Sequence, residues 1–327
     1  MIEKNNIRKI FIVSLTNIGD IVLTTPAIER IKQEFLPAKI TILVGPEGRE
    51  LFTADQQVEE IIIYNKHAPL KDKLKLVFTL RRKSIDLVVD FRNTLWPYII
   101  GTKYRNLPFL PIPAHIKHKA CEHLDKLKSL GLSFPETISP DICTSLKDDK
   151  QVAGILEKHN LLDKKIAVIC PGSKSRAKRW REQGFAFVAD RLNEINGVKV
   201  VMLGSINDQS VIRNILTLMK TEAVDLSGKT TIRELVVFFR KSRLLITNDT
   251  APMHLGWAAG VPMIAIFGPT DPAKFAPLTG KNFIVSSKIA CSPCGHGNCR
   301  IGYKCMKEID KNYILTLARK VLVNNAS

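Results

Sequence analysis

The sequence predicts an α/β protein made of two open, doubly wound parallel sheets. Three observations carry this. Short runs rich in β-branched residues alternate with longer runs of helical periodicity, the pattern of strands joined by crossover helices. The alternation breaks off over the proline-rich stretch 91–140 and restarts at 165, and a chain of 327 residues is long enough to bury two ordinary cores.

Taken in order, 9–15 is apolar and short, a buried strand, followed by a turn at Thr16-Asn17-Ile18-Gly19-Asp20. A helix follows, with Asp20 as its cap, Pro26 as a kink or break and Pro37 as its end. Residues 39–44 form a second strand, Gly45-Pro46 a turn, 60–64 a third strand, 71–83 a helix and 85–90 a fourth strand. The stretch 91–140 reads as loops and short helices, and the polar, charged 145–151 as a linker. Domains of 1–147 and 148–327 follow, with the last helix a candidate to pack back on the first domain. In the second half, 165–170, 199–203, 244–247 and 262–267 read as strands. Residues 182–195, 208–219, 231–240, 251–259 and 307–322 read as helices.

The chain carries 49 Lys and Arg against 31 Asp and Glu, a formal net charge of +18, most of it in the second half. Such a field favours an anionic partner: nucleic acid, a phosphorylated ligand or an anionic membrane surface. The basic residues are scattered and lack the aromatic-interleaved patches of nucleic-acid modules, which disfavours the first. No apolar stretch approaches the length of a membrane span and no signal-peptide pattern opens the chain, so a cytoplasmic location is expected. Four of the seven cysteines, Cys291, Cys294, Cys299 and Cys305, crowd into fifteen residues; Cys121, Cys143 and Cys170 stand apart. The tail cysteines read as reduced thiols ordering a loop, with a structural metal as the alternative.

Three strand-to-helix loops carry candidate chemistry. At Gly19-Asp20, residue type alone favours a helix cap over a general base. The loop 171–181 places Ser173, Ser175 and five basic residues, Lys178 among them, between a strand and a helix, as a phosphate site requires. The segment 247–254 ends a strand in Asn248, Asp249 and Thr250 and enters a helix at Ala251, whose N-terminus suits an anion. Asp249 reads as a ligand for a hydroxyl or as a cap, and His254, one turn in, as a packed polar residue. Dinucleotide, Walker, nucleophile-elbow and zincin motifs are missing.

At these loops the chain resembles glycosyltransferase family 9, the ADP-heptose:lipopolysaccharide heptosyltransferases. The residues that carry the resemblance are LTNIGDIVLTTPAI, the Pro-Gly-Ser loop running to Lys178-Arg179-Trp180, TNDTAPMHLGWAAGVPMIAIFGPTDP at 247–272, and the tail CSPCGHGNCRIGYKCM. The resemblance implies a GT-B fold, two Rossmann-like domains facing across a cleft, and an inverting transfer without metal or cofactor. It implies Asp20 as general base. It also implies a donor site of Ser173, Lys178, Asp208, Asp249, Thr250, Ala251 and His254, with Lys178 on the diphosphate and Asp208 on the ribose. The expected donor is ADP-heptose and the expected acceptor a lipid-linked lipopolysaccharide core. The enzyme would sit peripherally on the anionic cytoplasmic face of the inner membrane, with no nucleic acid as partner. A transferase of the same family using another nucleotide-sugar for a different surface glycan is the alternative.

Overall fold

The computed structural model describes residues 3–65, 68–107, 111–278 and 282–324. The chain divides into two compact units, 1–143 and 144–327. The first holds a five-stranded parallel sheet of β1 (Lys9–Val13), β2 (Lys39–Val44), β3 (Val58–Ile63), β4 (Leu87–Asp90) and β5 (Tyr104–Arg105), in the order β3-β2-β1-β4-β5. The second holds a six-stranded parallel sheet of β6 (Lys165–Cys170), β7 (Val198–Met202), β8 (Val224–Asp225), β9 (Leu244–Asn248), β10 (Met263–Phe267) and β11 (Asn282–Ser286), in the order β11-β10-β9-β6-β7-β8. Strands β4, β6, β9 and β10 are apolar nearly end to end and buried on both faces, as parallel strands covered by helices must be.

Both sheets reverse direction once. In the first, the chain builds outward from β1 to β3 and then returns to add β4 on the other side of β1. In the second, it runs from β6 to β8 and returns to place β9 beside β6. Helices after the two strands at such a point diverge to opposite faces, which opens a crevice at the carboxyl ends of those strands. The switch points are therefore β1/β4 and β6/β9.

The helix Ile18–Glu34 buries Ile21, Val22, Ile28 and Ile31. It runs through Pro26 without a break. The Val22 carbonyl, deprived of its usual donor by the proline, accepts a hydrogen bond from Thr25 Oγ1 at 2.8 Å. The helix begins at Ile18 behind Asn17, so Asp20 stands in its first turn and is not its cap.

The segment read as a linker is the start of a helix, Leu146–Lys158. Ser145 and Asp148 form a reciprocal capping box, a signal that the polar composition disguised. The boundary between units falls just before this box. Strands β5, β8 and β11 escaped the sequence reading: β5 and β8 are two residues long and β11 is half-exposed, so none has the buried apolar run that marks a strand. The last helix, Lys311–Asn324, packs on the Glu182–Asn193 helix and on β9 and β10 of its own unit. Ile314, Leu315, Ala318 and Val321 of that helix join the second core.

Asp148 does more than cap. Its carboxylate also takes a bidentate pair from Arg233, Nε at 2.9 Å and Nη2 at 3.1 Å, which fastens Leu146–Lys158 to the helix Ile232–Arg240. Burial would raise its pKa, but the Arg233 and Ser145 hydrogen bonds outweigh that and hold it down from 3.8 to about 2. A carboxylate with a depressed folded pKa contributes stability above its unfolded pKa and loses it as pH falls toward the folded value. Arg233→Ala is expected to cost about 2 kcal/mol in a denaturant titration at neutral pH. The difference from wild type should shrink as pH falls from about 4 to about 2.

Candidate functional site

In the second unit the β6/β9 switch point is where the sequence-read residues gather. Asn248, the last residue of β9, is fully buried. Its Nδ2 donates to the Pro171 carbonyl at 2.8 Å, and its Oδ1 accepts from the Trp180 backbone N–H at 3.2 Å. One amide thus holds both ends of the loop that leaves β6. Within that loop Ser173 Oγ donates to the Ser175 carbonyl at 3.0 Å and accepts from the Ser175 N–H at 3.2 Å. Arg179 Nε donates to the Ser173 carbonyl at 2.8 Å. Trp180 seats the far end, packed edge-on against Phe185 with ring centroids 4.9 Å apart. A Cβ at Gly184 would stand 2.6 Å from the Trp180 ring, so only glycine lets the ring lie there.

The loop delivers Lys178 to Asp249. Lys178 Nζ lies 2.7 Å from Asp249 Oδ2, and Asp249 is only 3% exposed while Lys178 is about one-third exposed. The Asp249 backbone N–H is tied to the Ile266 carbonyl at 3.0 Å, so the carboxylate is fixed from both sides. An ammonium held this way is oriented yet still open to an anionic ligand. Directly behind it, Thr250 precedes the helix Ala251–Ala259, and its hydroxyl donates to the Asn248 carbonyl at 3.4 Å without capping the helix. The helix N-terminus therefore points its partial positive charge at the region that Lys178 and Asp249 occupy. His254 is buried in this helix, one turn in from Thr250.

Asp208 joins the same edge from the β7 side. Ser205 donates to its Oδ2 through both N–H (2.8 Å) and hydroxyl (2.7 Å), which leaves the carboxylate turned to the start of the β6 loop. A side chain at Gly172 would collide with that carboxylate, so the glycine in Pro171-Gly172-Ser173 is where Asp208 meets the loop. The structure thus brings Ser173, Lys178, Asp208, Asp249, Thr250 and Ala251 to one edge of one sheet. The buried thiol of Cys170, at the end of β6, is pushed up by desolvation and is a packing group.

In the first unit, Asp20 lies at the β1 side of the β1/β4 switch point. Asn17 Nδ2 donates to its Oδ2 at 2.8 Å, and no other donor among the described residues is bonded to this half-buried carboxylate. A side-chain amide holds the carboxylate while its second oxygen stays available.

The β4 side of that switch point holds what the sequence reading missed. Asp90, fully buried at the end of β4, accepts from the Arg92 N–H at 2.7 Å and from the Thr94 N–H and hydroxyl, both at 2.6 Å. Lys126 Nζ clamps the same turn through the Phe91 carbonyl (2.7 Å) and Asn93 Oδ1 (2.8 Å), and burial lowers its pKa. The turn presents Arg92, whose guanidinium lies 5.0 Å over the Tyr64 ring and pairs with no carboxylate among the described residues. The signal was Asp90 followed by Asn93 in left-handed backbone, a turn closing a strand, but Arg92 belongs to no spacing pattern readable without the sheet order.

All seven cysteines are free. Among the described residues no three His, Cys, Asp or Glu side chains are placed to hold a metal ion. The tail is fastened by Ser292 Oγ to the Gly268 carbonyl and by the Gly295 N–H to the Pro269 carbonyl, both at 2.7 Å, and by burial of Cys305 and Met306.

Residues 118–304 match the sequence profile of glycosyltransferase family 9 (heptosyltransferase). The chain is 31% identical to lipooligosaccharide heptosyltransferase 2 of a Campylobacter jejuni strain, over 97% of this chain and 99% of that protein. Among solved structures, a glycosyl transferase family 9 protein of Veillonella parvula superposes with a TM-score of 0.85 at 21% identity, covering 98% of this chain and 99% of the other. An Escherichia coli ADP-heptose lps heptosyltransferase II superposes with a TM-score of 0.79 at 20% identity, covering 98% and 100%. The two parallel sheets and these likenesses give the chain the GT-B fold, with two Rossmann-like units. With its profile match over more than half the chain and a relative similar along nearly its whole length, this protein belongs to glycosyltransferase family 9 and is a glycosyltransferase of the heptosyltransferase kind.

Proposed function

We propose that the protein transfers heptose from ADP-heptose to a hydroxyl of a lipopolysaccharide or lipooligosaccharide core, with inversion at the anomeric carbon and no cofactor. The observation that carries the reading is the Lys178–Asp249 pair at the β6/β9 switch point, with the helix N-terminus behind it. The sugar and nucleotide rest on family membership and on the names of the relatives.

The chemistry follows from the residues. Asp20 takes the proton of the acceptor hydroxyl as its oxygen forms a bond to the anomeric carbon. The bond from that carbon to the β-phosphate oxygen breaks, and the electron pair leaves with ADP. The sugar is oxocarbenium-like at the midpoint, and no covalent sugar–enzyme intermediate is required for a single inversion. Charge grows on the departing diphosphate, and Lys178 with the dipole of Ala251–Ala259 stabilises it, a role that the Lys178–Asp249 contact beside the helix start supports. Asp208 is assigned to the ribose hydroxyls, and Asp249 keeps the Lys178 ammonium oriented. Ser173 and Thr250 supply hydroxyls at the same edge. On the acceptor side, Arg92, stacked on Tyr64 across the β1/β4 switch point from Asp20, is assigned to an anionic substituent of the core. The excess of positive charge suits an anionic partner, and a lipid-linked acceptor makes the anionic cytoplasmic face of the inner membrane the partner assigned to it.

Calorimetry with ADP, UDP and GDP in the presence of EDTA tests the donor. ADP is expected to bind, and Lys178→Ala to weaken it about tenfold to a hundredfold, the loss of a hydrogen bond to a charged group. Preference for UDP or GDP would keep the fold and family and assign another sugar. Asp20→Asn is expected to leave ADP affinity unchanged and to lower kcat by about a hundredfold to ten-thousandfold, as loss of a general base does. A kcat within twofold of wild type would remove Asp20 from the chemistry. Arg92→Ala is expected to raise the acceptor KM about tenfold with ADP affinity unaltered.

A further inference from the structure

The first unit leaves a line of large apolar side chains uncovered. The helix Leu70–Arg82 turns Leu76 and Leu80 to the sheet, where they pack with Phe11, Leu43 and Val88. Leu70, Leu74 and Phe78 point elsewhere and are 71%, 49% and 59% exposed. At four-residue spacing these three form one ridge along the helix, within a sector of about 80°. Lys71, Lys75 and Arg82, all exposed, occupy the adjoining sector. The ridge continues onto a second element. Arg81 Nε donates to the Ile99 carbonyl at 2.9 Å, which sets the helix Trp96–Ile100 alongside, with Tyr98 and Ile99 also exposed. Arg105 lies 4.7 Å over the Tyr98 ring and adds another cation to the border.

We propose that this ridge is a docking surface for an anionic lipid bilayer. Charge complementarity selects the occupant. The thirteen residues of Leu70–Arg82 hold five basic side chains and one acidic, so the border of the ridge is cationic along its length. Leucine and phenylalanine enter the boundary of the acyl chains, while lysine and arginine stems reach up to lipid phosphates. An aromatic residue with a polar tip, such as Tyr98, suits the headgroup level. One such helix gives reversible attachment, in keeping with a chain in which no described helix is long and apolar enough to cross a membrane.

Placement joins the surface to the site. Both helices of the ridge leave from carboxyl ends of strands, Leu70–Arg82 after β3 and Trp96–Ile100 after β4, the sheet edge that also carries Asp20 and Arg92. At its Leu70 end, a bilayer held by the ridge therefore lies beside the edge assigned to the acceptor. This geometric purpose rests on the proposed function, since it presumes a lipid-linked acceptor; the docking itself does not.

The test is co-sedimentation of the full chain with phosphatidylcholine vesicles, with and without phosphatidylglycerol, alongside ADP calorimetry on the same samples. Wild type is expected to partition onto the phosphatidylglycerol vesicles and to be released by salt. Leu74→Ser with Phe78→Ser, and separately Lys71→Glu with Lys75→Glu, should each weaken partitioning about tenfold or more. Their circular dichroism, Tm and ADP affinity should match wild type, because the side chains changed are exposed. Partitioning that neither pair alters overturns the proposal, as does a wild type that ignores anionic vesicles. Sedimentation of wild type as a dimer that Leu74→Ser with Phe78→Ser dissociates also overturns it, because the ridge would then be covered by a second copy. Failure to bind ADP with vesicle binding intact would count against the proposed function and leave the docking surface standing.

Discussion

The second unit depends on one buried amide. Asn248 ends β9 with no exposed surface and spends both of its polar atoms on the loop after β6. That loop is eleven residues of mostly polar and basic sequence, which in isolation has every reason to be mobile. Fixed at Pro171 and Trp180, it has little freedom left, and Lys178 falls within reach of Asp249. The next residue of the chain after Asn248 is Asp249 itself, so the clamp and the carboxylate are positioned by the same strand end. A buried amide left without partners is costly, and this cost is what makes the arrangement specific.

The first unit solves a similar problem with a carboxylate. Asp90 is buried at the end of β4 and is satisfied by three donors of its own turn. Lys126 closes the turn from outside by binding its carbonyl and amide oxygens. Arg92 is then displayed with its guanidinium against Tyr64, and Tyr64 in turn stands edge-on to Trp96 at 6.4 Å. In both units the charged residue proposed to meet a ligand sits on a loop held by a buried polar residue at the end of a strand. Both loops lie where the strand order reverses, the one place in an open parallel sheet where flanking helices diverge.

Positive charge is used locally in two ways. At the β6/β9 edge it is paired and directed, with Lys178 on Asp249 and the helix dipole behind. On the helix Leu70–Arg82 it is exposed at Lys71, Lys75 and Arg82 and set beside exposed apolar side chains. The formal net charge of the chain does not distinguish these uses. Their neighbours do, because a cation beside a buried carboxylate is oriented, and a cation beside exposed leucine covers an amphipathic border.

Periodicity and punctuation were enough for the alternating elements: 39–44, 165–170 and 251–259 agree with the observed strands and helix to the residue. Those segments are buried on both faces or enter a helix at a polar strand end, so local sequence and burial speak together. The polar segments at Gly19-Asp20, 171–181 and 247–254 were also visible as strand-to-helix loops. The sequence could not reveal which strand lies beside which, because neighbours in a sheet are chosen by long-range packing. Without the β6/β9 adjacency, Lys178 and Asp249 are residues 71 positions apart, and Asn248 is one polar residue among several. Without the β1/β4 adjacency, Arg92 is one arginine among many. The ridge at Leu70, Leu74 and Phe78 has ordinary helical spacing, and only the packed structure decides that Leu76 and Leu80 face inward and the ridge faces out. Local sequence determined the elements and the loop chemistry; tertiary packing decided which loops meet and which apolar face stays exposed, because both depend on burial by residues far away in the chain.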